Sequence, residues 1–362
     1  MTPPDGAGRQ WHAWSVWKTR VLLNGYLPAY AKACAKKATH ITFIDGFAGT
    51  ADSTDWNGES FLGSPRLALR TNPRFTHAVF FELPQKAEAL DQSLHSEFPG
   101  RQFHVVAGDC NQKIQEGLAW LRSQGSPTSG PQLGPVLAFL DPDALELEWT
   151  TVEAIAGWTG QRNPGDYHRR GKKPELLVLF PTGPMRRTLP ADKGAKEAGE
   201  TRKQQVDRLF GGRDWRAIYQ AQRAGLIQGE SAWMHYVELY RLRLLALGYE
   251  YTSAIEVRNT SNVVLYHMVF ATCHPAGARI MKAVQENARK VLPAMVQEEK
   301  RARRQSGRRL FEESDADLDR YAEAPSKWAQ LFDEPPQPFD PSRFQLASAS
   351  EQLAMGLAFD DA

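Results

Sequence analysis

Four carboxylates in the first part of the chain stand at comparable places, each just beyond an apolar run. Asp45 follows Ile41-Thr42-Phe43-Ile44, Glu82 follows His77-Ala78-Val79-Phe80-Phe81, Asp109 follows Gln102 to Ala107 and a glycine, and Asp141 follows Val136-Leu137-Ala138-Phe139-Leu140. An acid at the end of a buried strand repels a diphosphate but accepts hydrogen bonds from an ammonium or a hydroxyl. The turn after the first run, Asp45-Gly46-Phe47-Ala48-Gly49, also lacks the Gly-x-Gly-x-x-Gly spacing that lets a helix N-terminus reach a pyrophosphate. That argues against a nicotinamide oxidoreductase.

The four acids suit a ligand with an amine and a ribose and no phosphate, and S-adenosylmethionine is such a ligand. Asp45 would accept from its ammonium, while Gly46, Ala48 and Gly49 let the backbone approach the methionine part without an intervening side chain. Glu82 is placed to accept from the ribose diol, and Asp109, with Cys110 after it, from the adenine amino group. Singly, each acid reads as a helix cap or turn former. In register on successive strands they describe one crevice.

The fourth acid opens Asp141-Pro142-Asp143-Ala144. Amino-methyltransferases acting on nucleic-acid bases carry Asp/Asn-Pro-Pro-aromatic at this place, where the acid and a backbone carbonyl accept from an exocyclic amine and the ring stacks on the base. Asp141-Pro142 fits the first half and Asp143-Ala144 does not fit the second. The stacking ring is therefore absent or supplied by Trp149, Phe180 or the N-terminal helix.

The elements that position these acids follow from periodicity. Residues 14 to 35 show apolar spacings near three and four, predicting a helix bent near Pro28. Strands are predicted at 40–44, 77–82, 102–107, 136–140 and 176–180, with helices at 85–97 and 111–123 between them. Residues 52–63 read as a loop, and Ser64-Pro65 as the N-cap and first turn of a helix. Strands alternating with helices imply right-handed crossovers and a parallel sheet. Helices are predicted near 195–210, 214–222 and 231–247, followed by strand-like runs at 249–257 and 263–271 around a polar turn. A parallel sheet ending in a hairpin is the outline of the class I methyltransferase fold, a Rossmann-like sheet of seven strands. A winged-helix domain made of the helical insert and the hairpin would give the same linear pattern.

The layout is read as an N-terminal helix and Rossmann core over 1–190, a helical insert over 191–248 and the hairpin over 249–275. A C-terminal helix over 276–310 and an acidic, partly irregular tail over 311–362 complete it, the tail with isolated apolar segments such as 328–332. With 362 residues and 42% hydrophobic composition the chain is long enough for a sizeable core. Its three cysteines and nine histidines show no metal-ligand spacing, so no metal is expected. The first ten residues lack an apolar stretch and no window reaches about eighteen uninterrupted apolar residues, from which a soluble, cytoplasmic protein with no membrane contact is expected. The formal net charge of +2 excludes nothing, but basic runs near Arg169 and Arg303 are candidate contacts for RNA or DNA.

The ordered set WSVWKTRVLLNGYL, FIDGFAGTAD, FLGSPRLAL, FFE, GDCN, FLDPDAL, VLFPTG and VFATCHPAGARIMKAV, over roughly residues 12 to 290, resembles the three-Cys-motif partner proteins (TcmP). That family is similar in turn to the RlmJ type of adenine-N6 methyltransferase acting on 23S ribosomal RNA. The resemblance implies a methyltransferase using S-adenosyl-L-methionine, with Lys18, Asp45, Gly46, Ser64, Glu82, Asp109 and Asp141 lining the cofactor and target crevice. Lys18 joins Asp141 and Pro142 on the catalytic side. It also implies a separate partner, encoded nearby, that carries the three-cysteine motif. A second reading is open: a catalytically weak or inactive module that keeps the fold in order to dock that partner.

Overall fold

The computed structural model describes residues 13–50, 52–124, 134–158, 173–190, 196–229, 231–259, 263–305 and 329–340. The basic run around Arg169 and most of the acidic tail lie outside the described residues, and the side chain of Arg303 is not described.

The chain enters on one unbroken helical run. α1 (Ala13–Trp17) passes into a π-helical stretch, Lys18–Leu23, and then into α2 (Asn24–Ala35). The departure from α geometry therefore precedes Pro28, which lies inside α2, rather than falling at it as expected. Its signature is the Asn24 amide donating to the Thr19 carbonyl five residues back.

β1 (Thr42–Asp45) follows, one residue further on than its predicted end, so that Asp45 belongs to the strand. Residues 52–63, expected to be a loop, form a small antiparallel ribbon of β2 (Asp52–Thr54) and β3 (Ser60–Leu62). α3 (Ser64–Arg70) comes next with Gly63 as its N-cap, so Ser64 is the first helical residue and not the cap. β4 (His77–Glu82), α4 (Pro84–Glu97), β5 (Gln102–Ala107), α5 (Cys110–Ser123) and β6 (Val136–Leu140) complete the first half.

The second half contains α6 (Trp149–Gly157), β7 (Glu175–Phe180), α7 (Thr182–Thr188), α8 (Glu200–Phe210), α9 (Trp215–Arg223) and α10 (Ser231–Ala246). β8 (Tyr251–Arg258), β9 (Val264–Thr272), α11 (Pro275–Gln305) and β10 (Ala329–Phe332) end it.

The main sheet runs β10-β8-β9-β7-β6-β1-β4-β5. β1, β4, β5, β6 and β7 are parallel, and β9 lies antiparallel to both β7 and β8. This is the class I methyltransferase order, and the chain reverses its direction of travel across the sheet between β1 and β6. In such sheets the crevice for a ligand opens beyond the carboxyl ends at that reversal. The hairpin bonds to β7 from Leu176↔Ala271 to Phe180↔His267, so it completes the central sheet and is not the wing of a separate domain. One strand was not foreseen: β10 pairs antiparallel with β8, making eight strands where seven were expected.

Strict alternation sends the strand side chains to two cores. Ile44, Val79, Phe81, Ala138, Leu140, Val178 and Phe180 face α5, α6 and α8 to α10. Phe43, Phe80, Phe139, Leu179, Met268 and Phe270 face α1, α2, α3, α4 and α11. Asp45, Glu82 and Asp141 have the parity of the second set. They therefore end their strands on the side where the N-terminal helix packs.

Candidate cofactor and acceptor crevice

The turn after β1 is pinned by backbone bonds to its neighbours. Gly46 N donates to the Phe139 carbonyl at 3.0 Å and Ala48 N to the Phe81 carbonyl at 2.9 Å. Gly46 must lack a side chain, since a Cβ there would lie 2.7 Å from Leu140 Cδ2 and 3.2 Å from Cys110 Sγ. Gly49 takes a left-handed conformation, φ +64°, that turns its amide to Glu82.

Asp45 is fully buried. Its Oδ1 accepts from Phe47 N at 3.3 Å, while its Oδ2 makes no well-formed hydrogen bond among the described residues, although the Ser64 hydroxyl is near enough to favour the ionised carboxyl. Burial pushes this carboxyl up to about 7, against the neighbouring Ser64 hydroxyl and Phe47 amide, with Asp141 and Glu82 adding to the rise. A buried carboxylate oxygen without a donor costs free energy that an ammonium would return. The residues present therefore fit the amino-acid end of S-adenosylmethionine.

Glu82 stands one strand over, its Oε2 accepting from Gly49 N at 2.6 Å and its Oε1 from Leu83 N at 3.0 Å. Its carboxylate is thereby fixed in orientation with lone pairs remaining for a diol. Leu83, immediately after it, is an apolar side chain left 54% exposed at the carboxyl edge of the sheet. Sequence reading passed over it because an isolated leucine after a strand carries no pattern.

Asp109 serves first as the N-cap of α5, its Oδ1 accepting from Asn111 N at 2.9 Å and Asn111 Nδ2 at 3.0 Å. Asn111 also donates to the Glu146 carbonyl and accepts from Glu148 N and Thr151 Oγ1. One side chain thus ties the segment after β6 to the start of α5. Cys110 is buried against Gly46, and burial pushes its thiol well up. Its side chain packs under the turn that Gly46 opens.

Asp141 continues β6, and Lys18 Nζ reaches it from the π-helical stretch at 2.7 Å to Oδ1 and 2.5 Å to Oδ2. Burial raises the Asp141 carboxyl, and Lys18 opposes the rise. Pro142 is buried, and Asp143 is exposed, its amide donating to Glu146 Oε2. The structure thus brings Asp45, Gly46, Phe47, Ala48, Gly49, Ser64, Glu82 and Asp109 to one edge, with Lys18, Asp141 and Pro142 beside them.

No protein-family model matches the chain, and comparison with curated proteins found no match. Distant likenesses occur among solved structures. A Legionella pneumophila protein, LPL1258, described by family-model DUF519, is 11% identical over 74% of this chain and 90% of its own, with a TM-score of 0.38. A DUF574 family protein from Streptomyces avermitilis is 14% identical over 72% and 82%, TM-score 0.34. The CurJ carbon methyltransferase is 10% identical over 69% and 54%, TM-score 0.33. The fold assignment rests on the strand order.

Two of the rings proposed as stacking platforms are unavailable. Trp149 and Phe180 are buried in the core, both against Tyr240. From the N-terminal helix, Trp17 is also buried, its Nε1 donating to the Ala288 carbonyl at 2.7 Å. The aromatic ring beside the Lys18–Asp141 pair is Tyr266 of β9, itself buried, with Lys18 Nζ 5.9 Å from its centroid. Only its place in an alternating strand could have pointed to it, and that place depends on hairpin register.

Behind this ring the next residue, His267, is buried, its Nδ1 2.7 Å from Thr182 Oγ1 and its Nε2 3.4 Å from Glu256 Oε2. Arg258 Nε closes the chain on Glu256 Oε1 at 2.5 Å. Burial would raise the Glu256 carboxyl, but His267 and Arg258 outweigh it and hold it low. This network joins the start of α7 to β8 and β9. Among the described residues, no three His, Cys, Asp or Glu gather as a metal site, and no helix is long and apolar enough to cross a membrane.

Proposed function

We propose that the chain is an S-adenosylmethionine-dependent methyltransferase acting on a nucleic-acid base amine or a nucleic-acid-associated substrate. The observation that carries the cofactor is the buried Oδ2 of Asp45, which makes no well-formed hydrogen bond among the described residues, at the carboxyl end of β1. Asp45 would hold the ammonium, the turn from Gly46 to Gly49 the methionine chain, Glu82 the ribose, and Asp109 and Leu83 the adenine. When bound, the cofactor supplies an electrophilic methyl group. The residues on the acceptor side do little acid-base chemistry: Asp141 and the adjoining backbone orient a nitrogen, and the buried Pro142 stiffens the turn that presents them.

Calorimetry tests this with adenosylhomocysteine, the demethylated product. Micromolar binding to the wild-type chain, lost in Asp45→Ala, is expected, and a wild-type chain that binds neither product nor cofactor would refute the reading.

The nucleic-acid substrate is supported by Asp141-Pro142, by the resemblance to TcmP and RlmJ-type proteins, and by the basic runs near Arg169 and Arg303. Two observations favour the second reading, a weak or inactive module docking a three-cysteine-motif protein: Asp143-Ala144 replaces the Pro-aromatic pair, and Lys18 occupies both oxygens of Asp141. Methyl transfer from labelled cofactor to total RNA, DNA and protein, set beside co-purification with that neighbour, separates the two.

A further inference from the structure

We propose that Lys18 is itself a methyl acceptor, a modification site built into the crevice. The inference rests on the cofactor reading above and extends it to the nitrogen that the acceptor side already holds.

Three observations meet at this side chain. First, its ammonium sits on both oxygens of Asp141, the place where the acceptor nitrogen of a substrate belongs. β1 and β6 are adjacent and Asp45 is level with Phe139, so the Cα atoms of Asp45 and Asp141 lie about 8 Å apart by strand geometry. Second, the ring of Tyr266 lies under the ammonium, 5.9 Å from centroid to Nζ. A carboxylate with an aromatic face accommodates a methylated ammonium as well as a bare one.

Third, Lys18 is positioned rather than loose. It opens the π-helical stretch, a local geometry found frequently at functional sites. The turn before it is anchored on α11 through Trp17 Nε1 to the Ala288 carbonyl and Ala13 N to Glu299 Oε2 at 2.8 Å. The lysine and aspartate side chains are only 15% and 14% exposed. A solvated surface pair would need none of this support.

The Lys18 ammonium first releases one proton to water. The freed lone pair of Nζ forms a bond to the donor methyl carbon while the carbon–sulfur bond breaks. Its electron pair returns to sulfur, the sulfonium becomes a thioether, and the positive charge remains on the methylated nitrogen.

Two measurements on the full-length chain test it. After incubation with S-adenosylmethionine, mass spectrometry of the digested wild-type protein should show added methyl groups on Lys18, absent from Lys18→Arg. The second is calorimetric and needs no turnover. Sinefungin, which carries an amine where the cofactor has its methyl group, should meet repulsion from Lys18 in the wild type. In Lys18→Met its amine pairs with Asp141, so its affinity relative to adenosylhomocysteine should rise roughly tenfold, the size of one charge-assisted hydrogen bond. Product binding with no methyl on Lys18, or an unchanged affinity ratio in Lys18→Met, overturns this proposal alone. Failure of the wild-type chain to bind adenosylhomocysteine overturns the cofactor reading and this proposal with it.

Discussion

Lys18 and Asp141 form an ion pair, 2.7 Å and 2.5 Å from the ammonium to the two carboxylate oxygens, that joins the N-terminal helix to the end of β6. Both elements also contribute to one hydrophobic core, through Leu22 and Leu23 on one side and Leu137 and Phe139 on the other. The pair stands at the edge where the sheet leaves its crevice, so a substrate amine reaching Asp141 must take the place of the lysine or share it.

Asp141→Ala should abolish methyl transfer and leave adenosylhomocysteine binding within a few-fold of wild type, because Asp45 and Glu82 hold the cofactor from neighbouring strands. The measurement pairs radiolabel transfer with calorimetry on the same preparation. A variant that transfers methyl groups at the wild-type rate would show that the acceptor lies elsewhere.

Asp45 makes cofactor binding depend on pH in a defined direction. Its carboxyl is pushed up to about 7, so below that value the folded protein holds a proton that an arriving ammonium must displace. Affinity for adenosylhomocysteine should fall roughly tenfold between pH 8 and pH 6, and Asp45→Asn should bind weakly with little pH dependence. The stability of the unliganded protein moves the other way. From the ordinary carboxylate range up to about pH 7 the folded state binds more protons at Asp45 than the unfolded state, so stability declines as pH rises through this window. The gap in melting temperature between bound and unbound protein should therefore widen from pH 5 to pH 8. A constant gap would contradict the assignment.

Glu175 offers a parallel case at the opposite end of the sheet, where no ligand role is proposed. It is buried at the start of β7, accepting from Tyr26 and, at 2.8 Å, from Thr272 Oγ1, and burial pushes its carboxyl up to about 7 against these two donors. Tyr26→Phe removes the donor that favours the ionised form. The loss should be about 1–3 kcal/mol at pH 8 and smaller at pH 5, where the folded state already carries the proton. Urea titrations at the two pH values decide it, and equal losses would mean that the bond does not depend on charge.

These residues also mark where the sequence was legible. β1, β4, β6 and β7 could be read because a strand buried on both faces is apolar throughout and then stops abruptly at a polar residue; Asp45, Glu82 and Asp141 are those stops. Glu175 was missed by the same logic, since an acid at the start of an apolar run looks like a solvated boundary. The π-helical stretch at Lys18 has no residue signature, and Lys18 entered only through a family resemblance. Tyr266 and Leu83 depended on tertiary placement, one through hairpin register and the other through the crevice edge. Asp109 carried both readings, and its capping bond to Asn111 confirms the structural one.

The last element to be found, β10, is held by its pairing with β8 and by a buried arginine. Arg241 of α10 is buried and donates through Nη2 to the Thr252 carbonyl at 2.9 Å and the Glu334 carbonyl at 2.6 Å, and through Nε to Thr252 Oγ1 at 3.2 Å. It thereby clamps the segment beyond β10 onto β8, covering an edge that would otherwise present unpaired backbone groups. Arg241→Met keeps much of the stem's apolar packing and removes all three bonds, so a loss of about 3 kcal/mol is expected. The exposed pair between Lys282 and Asp333 touches the same segment at 2.5 Å, yet Lys282→Ala should leave stability unchanged, because a solvated pair gains little. Hydrogen exchange at Gln330 and Leu331 reads the outcome directly: faster exchange in Arg241→Met than in Lys282→Ala is expected. Equal exchange in the two variants would mean that strand pairing with β8, and not the arginine, holds β10 in place.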